Sequence, residues 1–120
     1  MSNTTTVETF LTRFTSGDTN GAAELLDDSF TFHGPMVQTD NKASFIEATA
    51  QLVPMLQGYD MHRLWADGDD VCAIYDLHVT TPAGSGAVTV AEWSVVHGDK
   101  IASQRIVFDT AAFAALMPQG

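Results

Sequence analysis

Positive charge is scarce in this chain. Five lysines and arginines stand against fifteen aspartates and glutamates in 120 residues, a formal net charge of −10. Such a surface repels the phosphate backbone that nucleic-acid binding has to attract, so DNA, RNA and anionic membranes are disfavoured as partners. Cysteine is nearly absent: Cys72 stands alone between Val71 and Ala73, which excludes an intramolecular disulfide and reads as a small core residue. No apolar run approaches the roughly 18 residues of a membrane span. The N-terminal Met1-Ser2-Asn3-Thr4-Thr5-Thr6 lacks the basic-then-apolar order of a secretion signal, so a cytoplasmic protein is expected. The four histidines, His33, His62, His78 and His97, have no metal-binding spacing, and neither GxGxxG nor GxxxxGK occurs, so neither metal nor cofactor is called for.

What the chain does have is apolar content, 45% of its residues, enough for one domain spanning 1–120 with a core of its own. Its two halves differ in period. Between Thr4 and Thr15, Val7, Phe10, Leu11 and Phe14 share one helical face. Gly17 stops that helix, Asp18 to Asn20 offers a new cap, and Ala22, Ala23, Leu25 and Leu26 predict a short second helix ending near Asp28. Phe30 to His33 reads as a short strand cut off by Gly34-Pro35. A third helix is predicted from Asp40-Asn41 through Phe45, Ile46, Leu52 and Leu56, kinked or ended by Pro54.

Beyond Gly58 the pattern turns to strands separated by turn residues: Tyr59–Ala66, Val71–Thr81, Ala87–His97 and Lys100–Phe108. Gly98-Asp99 is a tight-hairpin signal between the last two, and Thr110 to Met117 predicts a closing helix or turn. Helices first and an antiparallel meander second make an α+β architecture with helices on one face of the sheet.

This order resembles the nuclear transport factor 2-like superfamily, which includes SnoaL-like polyketide cyclases, steroid isomerases and limonene epoxide hydrolases. The carriers are the Ser16-Gly17-Asp18 break, the stretch Asp28-Ser29-Phe30-Thr31-Phe32-His33-Gly34-Pro35, and the closing Gly98-Asp99-Lys100-Ile101 with Arg105-Ile106-Val107-Phe108-Asp109. The resemblance implies a cone-shaped α+β barrel, in which a helical hairpin and a long helix pack into a strongly curved antiparallel sheet. It also implies an apolar pocket on the concave face, and a homodimer through the outer face.

A register set by resemblance to the steroid isomerases matches His33 with their catalytic base and Glu92 with their oxyanion-binding acid. It turns Tyr75, Val88, Val90, Glu92, Gln104, Ile106 and Phe108 inward, and Asp76, His78, Trp93, Val95, Arg105 and Val107 outward. Two readings of His33 are open: a neutral-pH proton carrier, or a hydrogen-bonded residue of the turn. Glu92 lies in the almost wholly apolar Val88–Val96 stretch, where a carboxyl can stay protonated and donate to a substrate carbonyl; the alternative is a structural ion pair with an arginine or histidine. The tyrosine that such isomerases carry on the first helix is here Phe10.

Phe14, Met55, Tyr59, Tyr75, Gln104 and Phe108 are the expected substrate-binding wall. Asp76 and Arg105 resemble in type the aspartate–arginine set of the epoxide hydrolases, but the second aspartate falls near Ile106, and a cross-strand ion pair on the outer face is the preferred role. The expected function is acid–base proton transfer on a small, apolar, carbonyl-containing metabolite. The alternative is a non-catalytic ligand-binding or dimerisation module of the same fold.

Overall fold

Each helix begins where a side chain satisfies backbone N–H groups that the first turn leaves without partners. The structure, a computed structural model, describes residues 1–117. Ser2 caps α1 (Asn3–Thr15), Asp18 caps α2 (Thr19–Ala23), Asn41 caps α3 (Lys42–Thr49) and Asp109 caps α4 (Thr110–Leu116). Helix α1 buries Val7, Phe10 and Leu11 on the face their spacing defines. Helix α2 is shorter than expected and ends at Ala23, because Leu26 already belongs to a strand.

The sheet has six strands: β1 (Leu26–His33), β2 (Gln38–Thr39), β3 (Leu56–Asp67), β4 (Asp70–Thr81), β5 (Gly84–His97) and β6 (Lys100–Phe108). Their order is β2-β1-β6-β5-β4-β3, so the sheet stays open with β2 and β3 at its edges. It is mixed and not wholly antiparallel: β1 runs parallel to β6, while the other neighbours are antiparallel. Strand β1 starts four residues before Phe30. Its register against β6 shifts between Leu26 and Thr31, where Asp27 Oδ1 accepts from the Ser29 amide at 2.9 Å and hydroxyl at 2.7 Å. This local side-chain turn takes up the extra residues of a bulge.

The expected long third helix stops at Thr49. Past it the chain tightens to i→i+3 bonds, from Leu52 N to Thr49 O and from Met55 N to Leu52 O, and forms a 3-10 turn at Val53–Met55. Pro54 has no N–H to extend an α-helix and disfavours helical backbone at the residue before it. Gly98 and Asp99 both take positive φ, 55° and 65°, the backbone of a type I′ hairpin between β5 and β6.

Core and cavity lie on one side of the sheet. Val71, Ala73, Tyr75, Val88, Val90 and Ile101 are buried beneath α1 and α3, and the Phe45 ring meets Phe30 edge-on at 5.1 Å and Phe32 at 5.0 Å. Edge-to-face rings interlock at such distances. Among the described residues no helix is long and apolar enough to cross a membrane.

Candidate functional site

Strand parity builds the site. Side chains two apart on a strand share a face, so β4 presents Tyr75 and Leu77, β5 presents Val88, Val90 and Glu92, and β6 presents Gln104, Ile106 and Phe108 to one concavity. Phe10 and Phe14 of α1 and Phe45 of α3 face them, and the result is a cavity of about 350 Å³. Met36 and Met55 also line it, as do Phe113 and Met117 from the C-terminal end of the described chain. Helix α4 sits close there, since Leu116 Cδ2 lies 3.1 Å from where a Cβ on Gly86 would stand. The Thr81 hydroxyl also donates to Leu116 O.

The wall is apolar except at a few points. Thr15 and Thr49 line it, but each spends its hydroxyl on its own helix, donating to Leu11 O at 2.7 Å and Phe45 O at 2.9 Å. Tyr75 Oη donates to Glu92 Oε1 at 3.1 Å. Ser94 Oγ, fully buried behind the wall, donates more weakly to Glu92 Oε2 at 3.5 Å. Glu92 is 5% exposed. Burial lifts its carboxyl from 4.5 to about 7 although the two hydroxyl donors pull it down, because leaving water penalises the charged form most. Burial first, and then the Glu92 charge, push the Tyr75 phenol well above its ordinary value, so it stays a neutral donor. Gln104 is 3% exposed, and its Nε2 donates to nothing among the described residues.

The cavity gathers Glu92, Tyr75, Gln104, Phe14, Met55 and Phe108, and leaves out His33 and Tyr59. His33 is exposed and stands in register with Arg105 and Gln38 on the far face of the sheet. Its matching to a catalytic base is therefore not supported by position: Phe32 points in, so its neighbour points out. The alternation Phe30-Thr31-Phe32-His33 carries that signal. Tyr59 packs edge-on against Tyr75 at 5.8 Å, but turns its hydroxyl to Thr12 Oγ1 at 3.1 Å and lines a separate surface recess.

Several lining residues have no place in the expected wall. Phe32, Phe45 and Leu52 are among them, as are Phe113 of α4 and Met117, the extended residue that caps its C-terminal end. The Tyr75–Glu92 bond is likewise new to the structure, although it has a signal in the strand pairing: Ala73, two residues from Tyr75, pairs directly with Glu92.

The outer face carries no Asp76–Arg105 ion pair among the described residues. Asp76 instead accepts from Thr89 Oγ1 at 2.7 Å and meets His62 Nε2 at 2.9 Å. These contacts hold its carboxyl below the usual value, the Thr89 bond most. Arg105 lies opposite Trp93, and Asp76 opposite Thr89, with the Ala91–Val107 pair between them. Among the described residues no group of three or more His, Cys, Asp or Glu is placed to hold a metal ion.

A family described as SnoaL-like domain matches residues 7–107. Among solved structures, an NTF2-like protein of unknown function from Burkholderia pseudomallei superposes with a TM-score of 0.85 at 16% identity, over 99% of this chain and 100% of that one. TerC co-crystallised with polyporic acid gives 0.82 at 18% identity, over 95% and 96%. An LEH-like epoxide hydrolase from M. tuberculosis gives 0.80 at 19% identity, over 95% and 88%. At these identities the likeness is one of fold. No curated protein matches the chain.

Proposed function

The chain belongs to the SnoaL-like domain family, and from that premise we propose that it binds a small apolar carbonyl compound and moves a proton on it through Glu92. One observation carries the reading: a buried carboxyl raised to about 7 lines a largely apolar cavity. A group whose pKa lies near the working pH can both take and return a proton, and the dry surroundings that raise it also strengthen its interaction with a bound substrate. Tyr75 holds Oε1 at 3.1 Å, and Oε2, which accepts only the longer 3.5 Å bond from Ser94, is the proton-handling atom of this reading.

The experiment is deuterium uptake. Wild-type protein and Glu92→Gln are incubated with a panel of apolar ketones in D2O, and the ketones are weighed by mass spectrometry. Catalysed exchange by the wild type that falls about a hundredfold or more in the variant supports the reading. Binding without exchange moves the weight to a ligand carrier, the second reading, which is favoured by the position of His33: with it outside, Glu92 is the only carboxyl or imidazole among the described lining residues.

We propose in addition that the outer sheet face pairs with a second copy of the chain. Trp65, Trp93 and Val107 are 48%, 49% and 60% exposed there, an apolar patch of the kind that a partner covers. Arg63 and Arg105 are exposed beside it. Neither has an ion-pair partner among the described residues, though acidic residues outnumber basic ones three to one. In the proposed pairing, Asp60 and Asp70 on the same face are acidic residues of one copy that the arginines of the other could meet.

A further inference from the structure

Glu92 handles protons, but nothing yet described holds the oxygen of a bound carbonyl. Gln104 fits that need. It is buried on β6 and lines the cavity, and its Nε2 has no acceptor among the described residues. An amide donor closed away from water without a partner is costly, and folded proteins rarely keep one that nothing uses. Its neighbours offer no local remedy: its direct cross-strand partners are Ser94 and Phe32, and the Ser94 hydroxyl is directed to Glu92. Gln104 and Glu92 are diagonal neighbours on one face, because Glu92 pairs with Ile106 and Ser94 with Gln104. Diagonal positions lie about 7–8 Å apart, a span that two long side chains and one small ligand can share. The hydroxyls of the wall are already spent and Gln51, the other amide of the lining, is exposed to solvent, so Glu92 and Gln104 are the buried side chains left for polar recognition.

We infer that Gln104 is the carbonyl-binding residue of the cavity, donating its side-chain N–H to the oxygen of an apolar ketone while Glu92 faces the adjacent carbon. The inference rests on the proton-transfer reading of Glu92 and names the substrate class for it: a largely hydrocarbon ketone with an α-hydrogen. The step balances without a co-reactant. The Glu92 carboxylate takes the α-proton, the C–H electron pair becomes the new C=C bond, and the carbonyl π pair moves onto the oxygen held by Gln104. Return of the proton from Glu92 to carbon reverses these shifts and regenerates the carboxylate. The amide bond matters more as that oxygen gains charge, which makes Gln104 a group that touches the reacting atoms.

A matched pair of probes tests this: 1-tetralone and its parent hydrocarbon tetralin, titrated into wild type and Gln104→Met. Methionine keeps the length and apolar stem of glutamine and removes the orphan donor. Wild type is expected to prefer the ketone by about tenfold, the difference one hydrogen bond makes. The variant is expected to lose that preference, to change tetralin affinity by less than about threefold, and to melt about 3–5 °C higher. In the infrared, the carbonyl stretch of bound tetralone is expected at lower frequency in wild type than in Gln104→Met, a shift that a merely structural glutamine would not produce. Equal ketone preference in wild type and variant overturns the inference and leaves the Glu92 reading standing, as does a wild type that binds both probes equally. A wild type that binds neither probe removes the ligand cavity and the inference with it. Loss of preference without loss of deuterium exchange in the Glu92→Gln comparison shows that Glu92 fails while Gln104 holds.

Discussion

Tyr75 and Glu92 stand on neighbouring strands and hold each other through one hydrogen bond of 3.1 Å, and both side chains are nearly closed to water. The carboxyl sits at about 7 in the folded protein against 4.5 ordinarily, so between those values the folded state holds a proton that the unfolded state has lost. Its contribution to stability is fully present below about 4.5 and is lost as pH rises through about 7, a change on the order of 3 kcal/mol. Glu92→Gln is expected to remove most of that slope and to be more stable than wild type at about pH 8, read by urea unfolding across roughly pH 4–8. Tyr75→Phe acts in the opposite sense on the acid. The Tyr75 hydroxyl favours the charged carboxylate, so its loss is expected to raise the Glu92 pKa and move the acid limb of the exchange-rate profile, where the proposed carboxylate base is lost, to higher pH, with the carboxyl titration itself followed by NMR. The inward set of β4, β5 and β6 is legible in the sequence because one apolar alternation runs through each strand. Family likeness matches His33 to a catalytic base, whereas its own parity with Phe30 and Phe32 turns it outward, and the structure follows the parity.

At the scale of elements, what can be read is whatever repeats, and what escapes is local. The four long strands and α1 extend over several periods, and their bounds fall within a few residues of those expected. The bulge in β1 depends on one Asp27–Ser29 turn. Strand β2 is two residues long, too short for any period, and α3 ends by the tightening of a single turn before Pro54. Helix α4 is announced by the closing alanine-rich segment, but its contact with the cavity is not, because that depends on Gly86 leaving room for Leu116. The helix has no buried residue, so its N-cap matters more than usual. Asp109 Oδ1 accepts from Ala112 N at 3.0 Å, and Asp109→Ala is expected to cost about 1 kcal/mol. The remaining ties of the segment are the Thr81–Leu116 bond and the Phe108–Phe113 ring contact at 5.3 Å. Ligand off-rates are therefore expected to rise severalfold with little change in Glu92 chemistry, measured by stopped-flow release of bound tetralone. An unchanged off-rate would mean that α4 does not cover the mouth during release.

For the whole molecule, the two faces of the sheet divide the work: one encloses the cavity and the other presents Trp65, Trp93 and Val107 to solvent. Trp93 Nε1 is tied to Asp70 Oδ1 at 2.8 Å, which fixes the indole as a flat, half-exposed platform instead of letting it fold back into the protein. Two copies at −10 each repel at long range, so association has to come from short-range burial of that platform, aided by the arginines at its border. Wild type is expected to sediment as a dimer at micromolar concentration. Trp93→Asp places a charge without a partner at the centre of the proposed contact and is expected to give a monomer that keeps its helical and strand content by circular dichroism. Arg105→Glu adds like charge at the border, and its dimer dissociation constant is expected to rise by about tenfold or more at roughly 0.02 M salt and by less at about 0.5 M, where screening shortens the reach of the repulsion. A wild type that sediments as a monomer across this range would leave the exposed tryptophans to a partner other than a second copy.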